Sequence, residues 1–169
     1  MGRNQKMLHK KRVEVYNLLD TLGIAYRVQE HAAVFTVAES SKVLSEKVPV
    51  KSLLVREEKG EQVWMVIMRG DVRLDMKLLA RELGVKRIVF VRPERVEALV
   101  GVKPGSVSLF GLLHDGATRI DVIIDETLMD ESELGFHPND NTATVFITPS
   151  DIETILAVTG HIFRKMRVY

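Results

Sequence analysis

The 169-residue sequence predicts a single compact α/β domain built on a mixed sheet. Three observations predict it. Segments with helical spacing of apolar residues alternate with short β-branched runs along the whole chain. Several neighbouring strands are joined by connections too short for a crossover, so antiparallel pairs must accompany any parallel ones. No repeat, linker or low-complexity tract divides the chain, and its length suits one full-sized core.

The elements follow in order. Leu8, Val15, Leu18, Leu19 and Leu22 recur at helical spacing and Gly23 is a natural stop, which predicts a helix over roughly 6–22. Residues 24–29 read as a strand. Thr36-Val-Ala-Glu39 fits a capping box and opens a short helix toward Leu44. Residues 52–56 and 62–68 read as two strands around a polar turn carrying Gly60, which predicts a hairpin. Asp75 can cap a helix that runs to Leu83 and ends at Gly84. Residues 87–91 are a strand, and Pro93 starts a helix lasting to about Val100. A glycine-rich connector spans Gly101 to Gly111. Residues 120–124 and 144–147 are further strands, and Thr148-Pro149 opens a last helix ended by Gly160. The N-terminal helix and the C-terminal tail are expected at the periphery.

Composition narrows the chemistry. There is no cysteine, which excludes disulfides, thiolate metal sites and cysteine nucleophiles. No window approaches the roughly 18 apolar residues of a membrane span, and no apolar run follows the basic N-terminus, so a cytoplasmic protein is expected. The net charge of +1 conceals basic clusters at Lys6–Arg12, at Arg69, Arg73, Lys77 and Arg81, and at Arg164–Arg167. Gathered on one face, such clusters could meet phosphates; spread out, they are solvated helix faces.

The densest polar stretch is Gly135-Phe-His-Pro-Asn-Asp-Asn-Thr-Ala-Thr144, which runs into an apolar strand. Hydrogen-bonding groups at a strand entrance must bind each other, water or a ligand. Lys51 stands directly before another apolar strand and is either an anchor for a phosphate or carboxylate or an ordinary edge lysine. Gly101, Gly105 and Gly111 punctuate a loop that could bring backbone N–H groups to an anion, or simply connect two elements. That loop is neither a Walker A sequence nor a GxGxxG turn, so nucleoside triphosphate and dinucleotide readings fail. The five histidines show no metal-binding spacing; a spatial group of His31, His137 and Asp115 is the remaining metal candidate. Ser106 and Ser108 lack a nucleophile-elbow context.

Taken together, Phe35-Thr-Val-Ala-Glu39 preceded by His31, Lys51-Ser-Leu-Leu-Val55, Gly70-Asp-Val-Arg-Leu-Asp75, Gly101-Val-Lys-Pro-Gly-Ser-Val107, Phe110-Gly-Leu-Leu113, Gly135-Phe-His-Pro138 and Asn141-Thr-Ala-Thr144 occur in one order. That series resembles the YbaK/prolyl-tRNA synthetase-associated domain family, and within it the free-standing ProX branch, over about residues 8 to 160. The resemblance implies a mixed sheet curled into a partial barrel with flanking helices. It implies hydrolysis of mischarged aminoacyl-tRNA in trans, removal of alanine from proline-specific tRNA in this branch, and no metal or cofactor. The aminoacylated 3′ end of tRNA is the implied partner, with prolyl-tRNA synthetase as a second and no membrane.

Carried over by position, Lys51 matches the family's functional lysine, which contacts the phosphate or ribose of the terminal adenosine. His137 and Asn141 fall on its pocket positions, and Gly105-Ser-Val-Ser-Leu109 on its GXXXP loop. Lys51, Gly105 and His137 are therefore expected nearest the chemistry. Phe35, Thr36, Arg73, Ser106, Val107, Ser108, Leu109, Gly111, Asn141 and Thr142 are expected to hold substrate. Leu109 stands where the family carries proline and His114 where it carries asparagine; both favour the rival reading, a binding module that does not hydrolyse.

Overall fold

Six of the seven residues of the central strand are buried, and their alternation divides the interior in two. The computed structural model describes residues 3–33, 49–117 and 120–169. In it β2 (Val50–Glu57) and β3 (Val63–Arg69) form the expected antiparallel hairpin, closed by the Glu57 N–H on the Gln62 carbonyl at 3.1 Å. On one face of β3 stand Val63, Met65 and Ile67; on the other stand Trp64, Val66 and Met68. A strand buried on both faces needs a cover on each side.

β4 (Ile88–Phe90) pairs antiparallel with the second half of β2, while β5 (Ile120–Asp125) runs parallel to β3 and β8 (Phe163–Met166) parallel to β5. The five-stranded order is β4-β2-β3-β5-β8. A second, antiparallel sheet has the order β1-β7-β6, with β1 at Arg27–Glu30, β6 at Leu134–Phe136 and β7 at Ala143–Ile147. β6 also lies against β2, which brings the two sheets together. The mixed sheet is as expected, and no ladder closes a barrel among the described residues.

The larger core fills the space between the two sheets. It takes Val15 and Leu19 from α1 (Arg3–Thr21), Val96 and Val100 from α3 (Pro93–Val100), and Ile152, Ile155 and Leu156 from α4 (Pro149–Thr159). The smaller core lies under α2 (Met76–Leu83) and the C-terminal Val168. The second half of α1 and the C-terminal residues both contribute to the cores: Val15, Leu19 and Val168 are fully buried, each covering a sheet face that would otherwise meet water. Five helix boundaries are set by local caps. Asp75 accepts the amides of Lys77 and Leu78 at 2.9 Å, Thr148 and Asp151 close a capping box, and Gly84, Gly101 and Gly160 take left-handed conformations at the C-termini.

Three elements depart from expectation. β6 occupies residues read as a polar turn, β8 occupies the supposed tail, and the first strand starts at Arg27 rather than residue 24. The glycine connector ends in a 3-10 helix, Leu109–His114. A Cβ on Gly111 would stand 2.9 Å from Val100 Cβ, so this glycine lets the 3-10 helix press onto α3. The short helix expected from Thr36, together with Phe35, lies outside the described residues.

Candidate active site

The turn between β6 and β7 carries His137, Asn139, Asp140, Asn141 and Thr142, and it is bound to the glycine turn of residues 101–108. The Ser108 hydroxyl donates to the His137 carbonyl at 2.6 Å and accepts the Phe110 amide at 3.2 Å. The Asn139 carboxamide donates to the Phe110 carbonyl at 3.0 Å, from a backbone held at φ 57. Asn139 is buried and, among the described residues, its Oδ1 has no hydrogen-bond partner, which costs desolvation; the left-handed backbone is one that asparagine tolerates. Gly105, at φ 90, supplies the bend that a side chain would oppose.

His137 Nδ1 donates to the Ala143 carbonyl at 3.0 Å, which leaves Nε2 as the acceptor of the neutral ring. The His31 ring packs edge-on against it with centroids 5.9 Å apart. His31 Nδ1 donates to Ala32 and Nε2 lies 2.9 Å from the Thr144 hydroxyl. Burial pushes the His137 imidazole below its ordinary value, against the bond to Ala143; His31 adds to the lowering and Asp140 opposes it. The unfolded chain therefore binds a proton near pH 6.5 that the folded chain refuses, so stability falls as pH drops through that range. His137→Gln is expected to flatten the melting temperature between about pH 7 and 5; parallel wild-type and variant curves would show that His137 contributes nothing there.

Lys51 is placed differently. It sits opposite Met68 on β3, so its side chain shares the face of Leu53, Met68 and the smaller core. The Ser108–His137 wall joins the larger core on the other face, so the structure brings Gly105, Ser108, His137 and Thr142 to one region but turns Lys51 away from them. The Lys51 ammonium donates to the carbonyls of Gly70, at 3.3 Å, and of Val72. It stands in an open depression of about 630 Å³ that is lined also by Leu53, Asp71, Val72, Arg73, Leu74, Met76 and the exposed Phe90. Burial lowers the ammonium's pKa; Asp71 opposes this and Arg73 adds to it.

Other expected site residues take packing roles. Leu109 is fully buried, where core contacts anchor the start of the 3-10 helix in place of proline's ring constraint. Gly111 is buried against Val100, Val107 packs on the larger core, and Ser106 donates its amide to Lys103 at 3.0 Å. Asn141 is half-buried in the turn, and Thr142 donates its hydroxyl to Asp140 at 2.8 Å. Thr36 and Phe35 lie outside the described residues. The metal candidate does not form: Asp115 lies 3.4 Å from His161 and accepts the Ile120 amide, while His31 and His137 pack on each other. Among the described residues no group of three histidine, aspartate or glutamate side chains could hold a metal ion. No helix among them is long and apolar enough to cross a membrane.

Comparison with known proteins gives a consistent picture. A profile of the aminoacyl-tRNA editing domain matches residues 31–155. The prolyl-tRNA editing protein ProX of Acetoanaerobium sticklandii is 34% identical over 152 residues, which covers 89% of this chain and 93% of that protein. The prolyl-tRNA synthetase associated domain-containing protein 1 of Danio rerio is 29% identical over 154 residues, covering 89% and 83%. A crystal structure provisionally assigned as a trans-editing enzyme for prolyl tRNA synthetase superposes with a TM-score of 0.72 at 26% identity, covering 94% of this chain and 98% of that one.

Proposed function

This chain belongs to the aminoacyl-tRNA editing domain family, and from that premise we propose that it is a free-standing deacylase hydrolysing mischarged prolyl tRNA, above all alanyl-tRNA specific for proline. The observation that carries this reading is the 2.6 Å bond from Ser108 to the His137 carbonyl. It holds the glycine turn and the His-Pro turn, far apart in sequence, as one polar wall.

The chemistry suits such a wall. An aminoacyl ester is already activated, so its hydrolysis needs a placed water and a stabilised tetrahedral oxyanion more than a strong nucleophile. With the Ser106 amide on Lys103, the amides of Gly105, Val107 and Ser108 are the donors the turn offers to the ester carbonyl or the terminal ribose. His137 Nε2, an acceptor in the neutral ring, orients the water or binds the substrate's α-ammonium. The adjacent ribose hydroxyl assists in activating the water, and no metal is required. Lys51 has three donors and two are held by Gly70 and Val72, so one remains for a phosphate of the acceptor end in the depression it shares with Arg73.

A synthetase pocket shaped for proline rejects the smaller alanine weakly, because a missing methylene is worth about 1–3 kcal/mol. A second pocket that admits alanine and bars proline supplies the remaining discrimination. In this role the protein acts in the cytoplasm on the 3′ end of charged tRNA, alongside prolyl-tRNA synthetase.

Proline tRNA charged separately with alanine, cysteine, serine and proline tests the proposal. Fastest deacylation of the alanyl ester, undiminished by a chelator, is expected. Binding of every charged tRNA without turnover would select the rival, a binding module; loss of turnover with chelator would select a metal-dependent hydrolase.

A further inference from the structure

Arg12 lies on α1, outside the stretch that the family profile matches, yet it ties the turn between β6 and β7 to the end of β1. Its Nε donates to Asp140 Oδ2 at 2.7 Å, its Nη1 to both oxygens of Glu30 at 2.9 and 3.0 Å, and its Nη2 to the Thr142 hydroxyl. We propose that Arg12 is a positioning residue of the deacylase site: it locks the turn between β6 and β7, and with it the His137 ring, in the geometry that hydrolysis needs. The proposal rests on the reading of the site given above.

Burial supports it. The Arg12 side chain is 14% exposed and that of Asp140 3%, so this contact is desolvated, unlike the surface pairs elsewhere on the molecule. Asp140 is itself fixed, its second oxygen accepting the Thr142 amide at 2.9 Å and hydroxyl at 2.8 Å. Burial works against the Asp140 carboxylate, but the bonds from Thr142 and Arg12 outweigh it and hold the carboxyl below its ordinary range. His137 stands three residues before this clamp, and its ring bonds to Ala143, one residue beyond Thr142. The guanidinium's fork matches acceptors on three residues, Glu30 on β1 and Asp140 and Thr142 on the turn between β6 and β7, a geometry that a lysine ammonium does not reproduce. The sequence separation of 128 residues between Arg12 and Asp140 makes the clamp a link between α1 and a turn near the other end of the chain.

The test uses the full chain with Arg12→Met, Arg12→Lys and Asp140→Asn, each checked for folding. With alanyl-tRNA, Arg12→Met and Asp140→Asn are expected to lower kcat by about 10–100-fold with KM within about twofold, because a misplaced reacting group costs the transition state rather than binding. Lysine is expected to restore little, and the double variant to be no worse than the poorer single one. A second readout needs no substrate. The His137 ring titration, followed by NMR, is expected to move up toward its ordinary value in Arg12→Met as water reaches the loosened turn. Wild-type kcat in folded Arg12→Met and Asp140→Asn would overturn the proposal. A chain that deacylates nothing would defeat the functional reading alone; the Arg12 proposal would then fall on an unmoved His137 titration.

Discussion

Lys51→Ala is expected to lower kcat/KM for alanyl-tRNA by about 100-fold, or ~2.7 kcal/mol, because the acceptor end loses the anchor that positions its ester against the distant wall. The residue's surroundings explain the size. Its ammonium is partly desolvated, with a lowered pKa, and it is steered by the Gly70 and Val72 carbonyls, so the free donor is pre-aimed rather than swinging in water. Arg73 adds a second positive charge in the same depression and Phe90 an exposed aromatic face, a combination suited to a phosphate and a base. The fold is expected to survive, because the lost bonds are to a surface turn while the buried residues of β2 and β3 are untouched. Lys51→Arg keeps the charge but cannot place a compact ammonium between two carbonyls, so partial recovery is expected. Steady-state kinetics on the three proteins, with melting temperatures alongside, measures this. Near wild-type turnover in Lys51→Ala would remove Lys51 from the site and leave the Ser108–His137 wall to act alone.

Gly105→Val is expected to remove most activity at a modest cost in stability. At φ 90 a β-branched residue is strained by about 1–3 kcal/mol, and the strain is relieved only if the turn changes shape. Gly105 is exposed, so the core does not force the old shape on the new residue. A reshaped turn misdirects the amides of Val107 and Ser108, and one misplaced oxyanion donor costs about 100-fold or more in kcat. The expected pattern is a large fall in kcat with a melting temperature lower by only several degrees. A folded Gly105→Val variant with full activity would show that the turn's amides do not touch the reacting ester.

Features written in local chemistry were legible in the sequence. Asp75, Pro93, Thr148 and the three terminal glycines marked the helices because a cap depends on residues within one turn. The hairpin of β2 and β3 was legible for the same reason, its strands and polar turn being contiguous. β6 and β8 were not, since three and four residues of mixed character become strands only through main-chain pairing with β7 and β5. The polar stretch after Gly135 was singled out correctly as a concentration of hydrogen bonds, but its partners Ser108, Phe110 and Arg12 lie 29 to 130 residues away and no spacing rule reaches them.

The orientation of Lys51 was partly legible. Alternation along β2 puts it with Leu53 and Val55 on one face and Val50 and Leu54 on the other, so a strand beginning at Val50 already turns it from the larger core. That the Ser108–His137 wall belongs to the larger core could not be read, because it depends on how the second sheet docks on the first. Leu109 shows the converse. As a departure from the family pattern it favoured the binding-module reading, whereas its complete burial anchors the loop by packing in place of proline's ring.

The most direct measurement is the response of backbone amide and histidine ring NMR signals to a non-hydrolysable 3′-alanylamido-adenosine. Saturable shifts at Gly105, Val107, Ser108 and His137 are expected, with the amino-acid end of the analogue against that wall. Saturable binding that leaves all four unmoved would contradict the assignment of this wall as the place where the ester is cut.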